Sequence, residues 1–230
     1  MCTVIVSVPE VGALHPVRLL AVRDEDPDRP WNRLGAWWDG DFPGVVGIRD
    51  ARAGGAWMAA DASARRVAVL LNRHDLSDRP DSAMSTRGSI ALNSVAGRPP
   101  EGAPATRGFN LVEIEGRRAR VVSWDGLALT ETELGPGTHM VAHDEVDDER
   151  SPRISRWLDD FRAASPDDWM TVLDRSAAVG AADPAAIIRK DSFEGVRSYS
   201  LVLVSASVDD DHVEVRDAPL ARPGSWPPIT

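Results

Sequence analysis

An α+β fold, with helices laid over antiparallel sheets, is what this 230-residue chain predicts, and three observations predict it. Apolar, β-branched runs come in adjacent pairs whose links are too short for a parallel crossover. Two amphipathic helices start one after the other late in the chain. The order runs hairpins, a helix, a hairpin, two helices and a last hairpin, rather than strand alternating with helix, which is the pattern of α+β. The length suits one core, so a single domain over 1–230 is expected.

The elements follow in order. "CTVIVSV" is a β-branched run, "PEVGALHP" is turn-rich and "VRLLAVRDED" returns as a second strand, so strand one begins at or beside Cys2. "GGAWMAAD" and "RRVAVLLNRHD" make a second pair around the polar link at Ser63. Between the pairs, "RPWNRLGAWWDGDFPGVVGIRDARAGG" is rich in Trp, Gly and Pro and reads as a long ordered loop. "STRGSIALNSVAG" predicts a short helix, and "RPPEGAPATRG" a surface connector. "FNLVEIEG" and "RRARVVSWDG" alternate apolar and polar positions around a tight turn, as half-buried antiparallel strands do. Ser151-Pro152 predicts a helix start, with Ile154, Trp157, Leu158 and Phe161 on one face. Ser165, Pro166 and Asp168 repeat the device before Trp169, Val172 and Leu173. "RSYSLVLVSA" and "HVEVRDAPL" close the chain as a hairpin through the acidic turn "SVDDD".

A formal net charge of -10 argues against nucleic acid or an anionic membrane surface as the default partner, since both reward a basic face. The dense acidic runs "HDEVDDER" and "DDDH" read as solvated loops. No apolar stretch approaches a membrane span, and the first residues have neither a basic start nor a small-residue cleavage site, so a cytoplasmic protein is expected. His139 and His143 are four apart beside acidic residues, a metal-ligand spacing on a helix. "GPGTH" reads instead as a loop entering a strand, where those positions stand roughly 13 Å apart, so no metal site is expected. Trp31, Trp37, Trp38 and Trp57 are expected to pack under the long loop, with the lining of an apolar pocket as the competing use.

Cys2 is the only cysteine, so it has no internal disulfide partner and no CxxC motif. Two readings stand side by side. It is a small apolar residue opening a buried strand, or it is a nucleophile. The second depends on Met1: initiator methionine is commonly removed before a small residue, which would give Cys2 a free α-amine. An α-amine titrates near about 8 and a thiol near about 8.5, so the amine would serve as a built-in general base for the sulfur.

The blocks "MCTVIVSV", "LLAVRDEDPDRP", "GAWW", "PGVVGIRDARAGGAWMAAD", "VAVLLNR", "STRG", "FNLVEIEG", "GPGTHMVAHDEVDDERSPRISRW" and "RSYSLVLV" resemble, in order and over nearly the whole chain, the NRDE family, also called the transport and Golgi organisation 2 family. The resemblance implies the N-terminal-nucleophile hydrolase fold, a four-layer αββα sandwich of two antiparallel sheets between helices. It looks like the cysteine branch of that fold, which includes penicillin V acylases, bile salt hydrolases and acid ceramidase, enzymes that cleave amide bonds.

The same resemblance assigns roles residue by residue. Cys2 becomes the nucleophile. The signature tetrapeptide falls on "VRDE", where Arg23, Asp24 and Glu25 match and Val22 replaces Asn. Asp24 would orient the α-amine of Cys2, and Arg23 would offset charge or hold a substrate group. Asn72 matches an oxyanion-hole Asn, Arg197 an active-site Arg, and His143 stands where acylases have a residue facing the site, usually Asn. The implied activity is hydrolysis of a linear or lipid-like amide through a thioester, with no cofactor. The competing expectation is a non-catalytic haem or lipid carrier on the same scaffold, in which Cys2 or His143 would touch the ligand.

Overall fold

A computed structural model describes residues 2–190 and 197–229. Twelve strands form two antiparallel sheets among the described residues. The first sheet contains β1 (Thr3–Val8), β2 (Val17–Glu25), β10 (Gly137–Val141), β11 (Tyr199–Val208) and β12 (Val213–Pro219), in the order β10-β1-β2-β11-β12. The second runs in the sequential order β3 (Trp31–Gly35), β4 (Val45–Asp50), β5 (Ala56–Asp61), β6 (Arg66–Asn72), β7 (Phe109–Glu115), β8 (Arg118–Trp124), β9 (Leu129–Glu133).

Three apolar clusters fix the layers. Val4, Val6, Leu19, Ala21, Val141 and Val204 meet Ile48, Met58, Val69 and Val112 between the sheets. The alternate residues of the first sheet, Ile5, Leu20, Val22, Met140 and Leu203, face outward onto α2 (Pro152–Ala163) and α3 (Trp169–Ala177). The alternate residues of the second sheet, among them Ala59, Ala68, Leu111 and Val122, are covered by α1 (Ile90–Val95). The α+β expectation therefore holds, with helices outside two stacked sheets. The period-2 alternation is what allows each sheet to bury both faces.

The predicted hairpins are present: β1–β2, β5–β6, β7–β8 and β11–β12 all pair antiparallel. The helix starting at Ser151-Pro152 is α2, and its buried stripe Ile154, Trp157, Leu158 and Phe161 contributes about 1.5–3 kcal/mol per fully buried side chain. The Ser151 hydroxyl makes no hydrogen bond to the helix backbone, and Ser165 binds the Asp168 carboxylate instead of a backbone N–H. Proline geometry and packing set these starts, not the serine caps.

One expectation is corrected. The Trp-rich segment before Gly55 is not a loop but contributes β3 and β4, the latter paired with β5. Gly47 hid this strand. A Cβ there would lie 2.2 Å from the Met58 carbonyl oxygen, so the glycine is needed for strand contact rather than for a turn.

No helix of the described residues is long and apolar enough to cross a membrane.

Candidate active site

The β1–β2 register pairs Thr3 with Val22, which places Cys2 beside Arg23 at the strand ends. Cys2 belongs to the same inward-facing row as Val4 and Val6, so its thiol points between the sheets and is 6% exposed. Arg23 Nη1 donates to the Cys2 sulfur at 3.2 Å, and Nη2 donates to Glu25 Oε2 at 2.7 Å. The guanidinium lies over the Trp57 ring, 4.4 Å from its centroid, and Trp31 backs that ring at 6.0 Å. Burial pulls the Arg23 guanidinium down, but the Cys2 sulfur and the Glu25 carboxylate outweigh it and hold Arg23 above the usual arginine value. The thiol thus has a permanent cation against it, fixed by stacking and by a carboxylate. Trp57 sits in the pocket wall, and its indole N–H donates to Asp50 at 3.3 Å.

Asp24 is the next residue along β2, so its side chain leaves by the opposite face, toward α2. It is completely buried there. Its Oδ1 accepts from Ser200 Oγ of β11 at 2.6 Å, and its Oδ2 faces Arg153 Nη1 of α2 at 3.7 Å. Arg153 also donates to Thr3 Oγ1 at 2.5 Å and to the Cys2 carbonyl at 3.4 Å. Burial holds the Arg153 guanidinium below its ordinary value, against the pull of Asp24 and Cys2. A buried guanidinium that faces a buried carboxylate therefore holds the Cys2 carbonyl while Arg23 flanks the sulfur. The Cys2 Sγ also lies 3.7 Å from the Asp24 carbonyl, a weak contact.

Asn72 is exposed at the end of β6. The next two residues tie that end to the site's surroundings: Arg73 N–H donates to the Gly108 carbonyl at 3.2 Å and His74 N–H to the His143 carbonyl at 3.4 Å. His143 lies two residues beyond β10, with Nε2 3.1 Å from Asp144 Oδ2. Burial pushes its imidazole below the usual value, with Arg153 and His74 adding to the effect and Asp144 opposing it. Arg197 stands apart from the thiol on the exposed surface, where Nη1 binds Asp28 Oδ2 at 2.7 Å. His139 is held by Asp147 at 2.8 Å and by the Gly135 carbonyl at 2.9 Å, in a strand as expected. No group of three metal-ligating side chains occurs among the described residues.

A family model, transport and Golgi organisation 2, matches residues 1–179. The chain belongs to the transport and Golgi organisation 2 family. No individually curated protein matches it. The family match includes Cys2, Arg23, Asp24, Asn72, His143 and Arg153, whereas Arg197 and Ser200 lie past its end.

Three polar residues of this family member were not singled out by sequence reasoning. Arg153 shares a helical face with Trp157 and Phe161, at i, i+4 and i+8, and that spacing was the signal that it is buried. Asn110 is fully buried on β7; its amide donates to the carbonyls of Ala142 at 3.1 Å and Asp144 at 2.7 Å, joining the two sheets just before and after His143. Its Oδ1 accepts from Ser123 Oγ and Arg73 Nη1. Arg87 sits in the "STRG" block, and that turn is locked to the one before β5. Ala56 N–H donates to the Gly88 carbonyl at 2.9 Å, and a Cβ on Gly55 would lie 2.1 Å from Gly88 Cα. Only paired glycines allow that approach.

Proposed function

We propose that the chain is an N-terminal cysteine amidohydrolase acting on a linear or lipid-like amide. The observation that carries the reading is the Arg23 Nη1 to Cys2 Sγ contact at 3.2 Å, which joins the lone thiol to a partly buried cation. A structural cysteine opening a strand needs no such partner. The cation would face the sulfur that bears negative charge during attack.

After loss of Met1, the α-amine of Cys2 takes the thiol proton and the sulfur attacks the amide carbonyl. The amine leaving group departs with a proton, leaving a thioester on Cys2. Water then adds to the thioester, and the carboxylic acid leaves as the thiol re-forms. Asp24, whose carboxylate is held by Ser200 and Arg153, is proposed to orient the α-amine. Asn72 is proposed for the oxyanion, and His143 and Arg197 for the substrate rim.

The space against the thiol is small and by itself favours neither an amide substrate nor a carried ligand. The cavity between Cys2, Arg23, Trp57, Met58, Leu70 and Val202 holds about 20 Å³, enough for about one water-sized group. A site for a drug-sized ligand runs to roughly 300 Å³ or more. Concavities of about 550 and 510 Å³ are lined by other residues. Haem or lipid carriage has its own test, haemin titration, in which a shifted Soret band at micromolar ligand would favour it.

The hydrolase test is a panel of N-acyl amides read by release of the amine, with acyl-enzyme mass as the second readout. Wild type should turn over at least one substrate and carry the acyl group on Cys2 during turnover. Full activity in Cys2→Ala would sink the proposal.

A further inference from the structure

Two arginines contact Cys2, and both are accounted for. Arg23 is committed to the sulfur and Glu25; Arg153 faces Asp24, Thr3 and the Cys2 carbonyl. A third arginine, Arg87, feels the charge of Cys2. It is half-buried, and its one hydrogen bond among the described residues runs from Nη1 to the Gly108 carbonyl at 2.7 Å. It forms no ion pair there. Of the two carboxylates that act on it, Glu25 is bonded to Arg23, and Asp75 is used by Ser77, by the Gly108 N–H and by Arg107 at 3.6 Å.

With one hydrogen bond made, the guanidinium keeps most of its donors free to bind something else. The turn carrying it is rigidly placed by the Gly55–Gly88 contact. On one side, the Gly108 carbonyl it binds also accepts the Arg73 N–H, so the guanidinium sits at the end of β6, next to Asn72. On the other, Gly88 is bonded to Ala56, the neighbour of the Trp57 on which Arg23 stacks. Burial and the charge of Arg23 hold the Arg87 guanidinium below its ordinary value, with Glu25 and Cys2 pulling the other way.

We infer that Arg87 is an anion subsite of the Cys2 site, placed between Asn72 and Arg23 to receive a carboxylate carried by the molecule that approaches the thiol. The word substrate here rests on the amidohydrolase reading; the anion subsite does not. Joined to that reading, it narrows the substrate class to amides bearing a carboxylate near the scissile bond, such as N-acyl amino acids. The planar guanidinium retains donors for a bidentate carboxylate.

The test pairs anionic and neutral probes of one shape. Alkylation of the full-length protein by iodoacetate and by iodoacetamide is followed by intact mass, in wild type and Arg87→Gln. The iodoacetate-to-iodoacetamide rate ratio should fall roughly tenfold in the variant, the effect of losing one charge-assisted hydrogen bond. Arg87→Lys should retain part of it. Separately, N-acetylglycine should raise the wild-type Tm where its neutral carboxamide does not, and Arg87→Gln should lose that difference. An unchanged alkylation ratio in a folded Arg87→Gln, or equal Tm responses to the two probes in wild type, overturns the inference. If Cys2 reacts with neither reagent, the hydrolase reading fails, and the Tm comparison alone decides the subsite.

Discussion

Replacing Asp24 by Ala removes a fully buried carboxylate whose neighbours cannot reach bulk water. Ser200 Oγ loses the acceptor it holds at 2.6 Å, and Arg153, 3% exposed, loses the opposite charge at 3.7 Å. Removing one partner of a buried ion pair costs about 3–5 kcal/mol, because the charge left behind stays desolvated. Against a total stability of about 5–15 kcal/mol this is a large share. With a urea slope of about 2 kcal/mol/M, the midpoint should fall by roughly 2 M. Urea unfolding followed by tryptophan fluorescence reads it directly, since Trp124 and Trp157 are deeply buried reporters. The double variant Asp24→Ala/Arg153→Met removes the stranded cation and should be at least about 1 kcal/mol more stable than the sum of the single losses. A loss under about 1 kcal/mol in Asp24→Ala, or strict additivity in the double variant, would refute the picture of a buried pair braced beside Cys2.

Gly55→Ala should destabilise by about 1–3 kcal/mol or more, since its Cβ meets Gly88 Cα at 2.1 Å and neither turn has room to retreat; thermal unfolding checks it. Asn110→Ala strands the buried Ala142 carbonyl, at a cost of about 1–3 kcal/mol, together with the half-buried Asp144 carbonyl, and should speed hydrogen exchange around 140–145. The hydrogen bond that His139 donates to Asp147 raises the imidazole above its ordinary value, and that same bond, with the Met140 N–H, holds Asp147 below its own despite burial. His139 therefore contributes stability at low pH that is lost as pH rises through its raised value. The Asp147 contribution is present above the ordinary carboxylate range and is lost as pH falls through its lowered value. Their joint support peaks between about pH 4 and 6.5. His139→Gln should flatten the decline in Tm above that window, while Arg162, also on Asp147, keeps the acidic limb. An unaltered pH–Tm profile would count against it.

How far the sequence could be read varies along the chain for physical reasons. Hairpins with both faces buried, such as β1–β2 and β7–β8, announce themselves through β-branched or alternating runs. The edge strands β3 and β9 do not: a strand paired on one side and largely exposed, as Leu129–Glu133 is, needs no apolar row. β4 was masked by Gly47, whose purpose depends on a carbonyl in another strand. The site divides in the same way. Cys2, Arg23 and Asp24 lie in strands whose pairing is local, so their proximity follows from one hairpin. Arg153 and Ser200 reach Asp24 from α2 and β11, 129 and 176 residues along, and no local pattern reports that meeting. Arg197 lies past the end of the family match, and its guanidinium lies on Asp28 at the surface.

Everything turns on whether Cys2 is a reactive N-terminal nucleophile. The most direct measurement is intact mass of the native protein, alone and after brief iodoacetamide treatment, in wild type and Arg23→Gln. The account predicts a wild-type mass short by one methionine residue, rapid single alkylation of Cys2, and slower alkylation once the Arg23 cation is gone. A retained Met1 together with a thiol that reacts only after unfolding would contradict it.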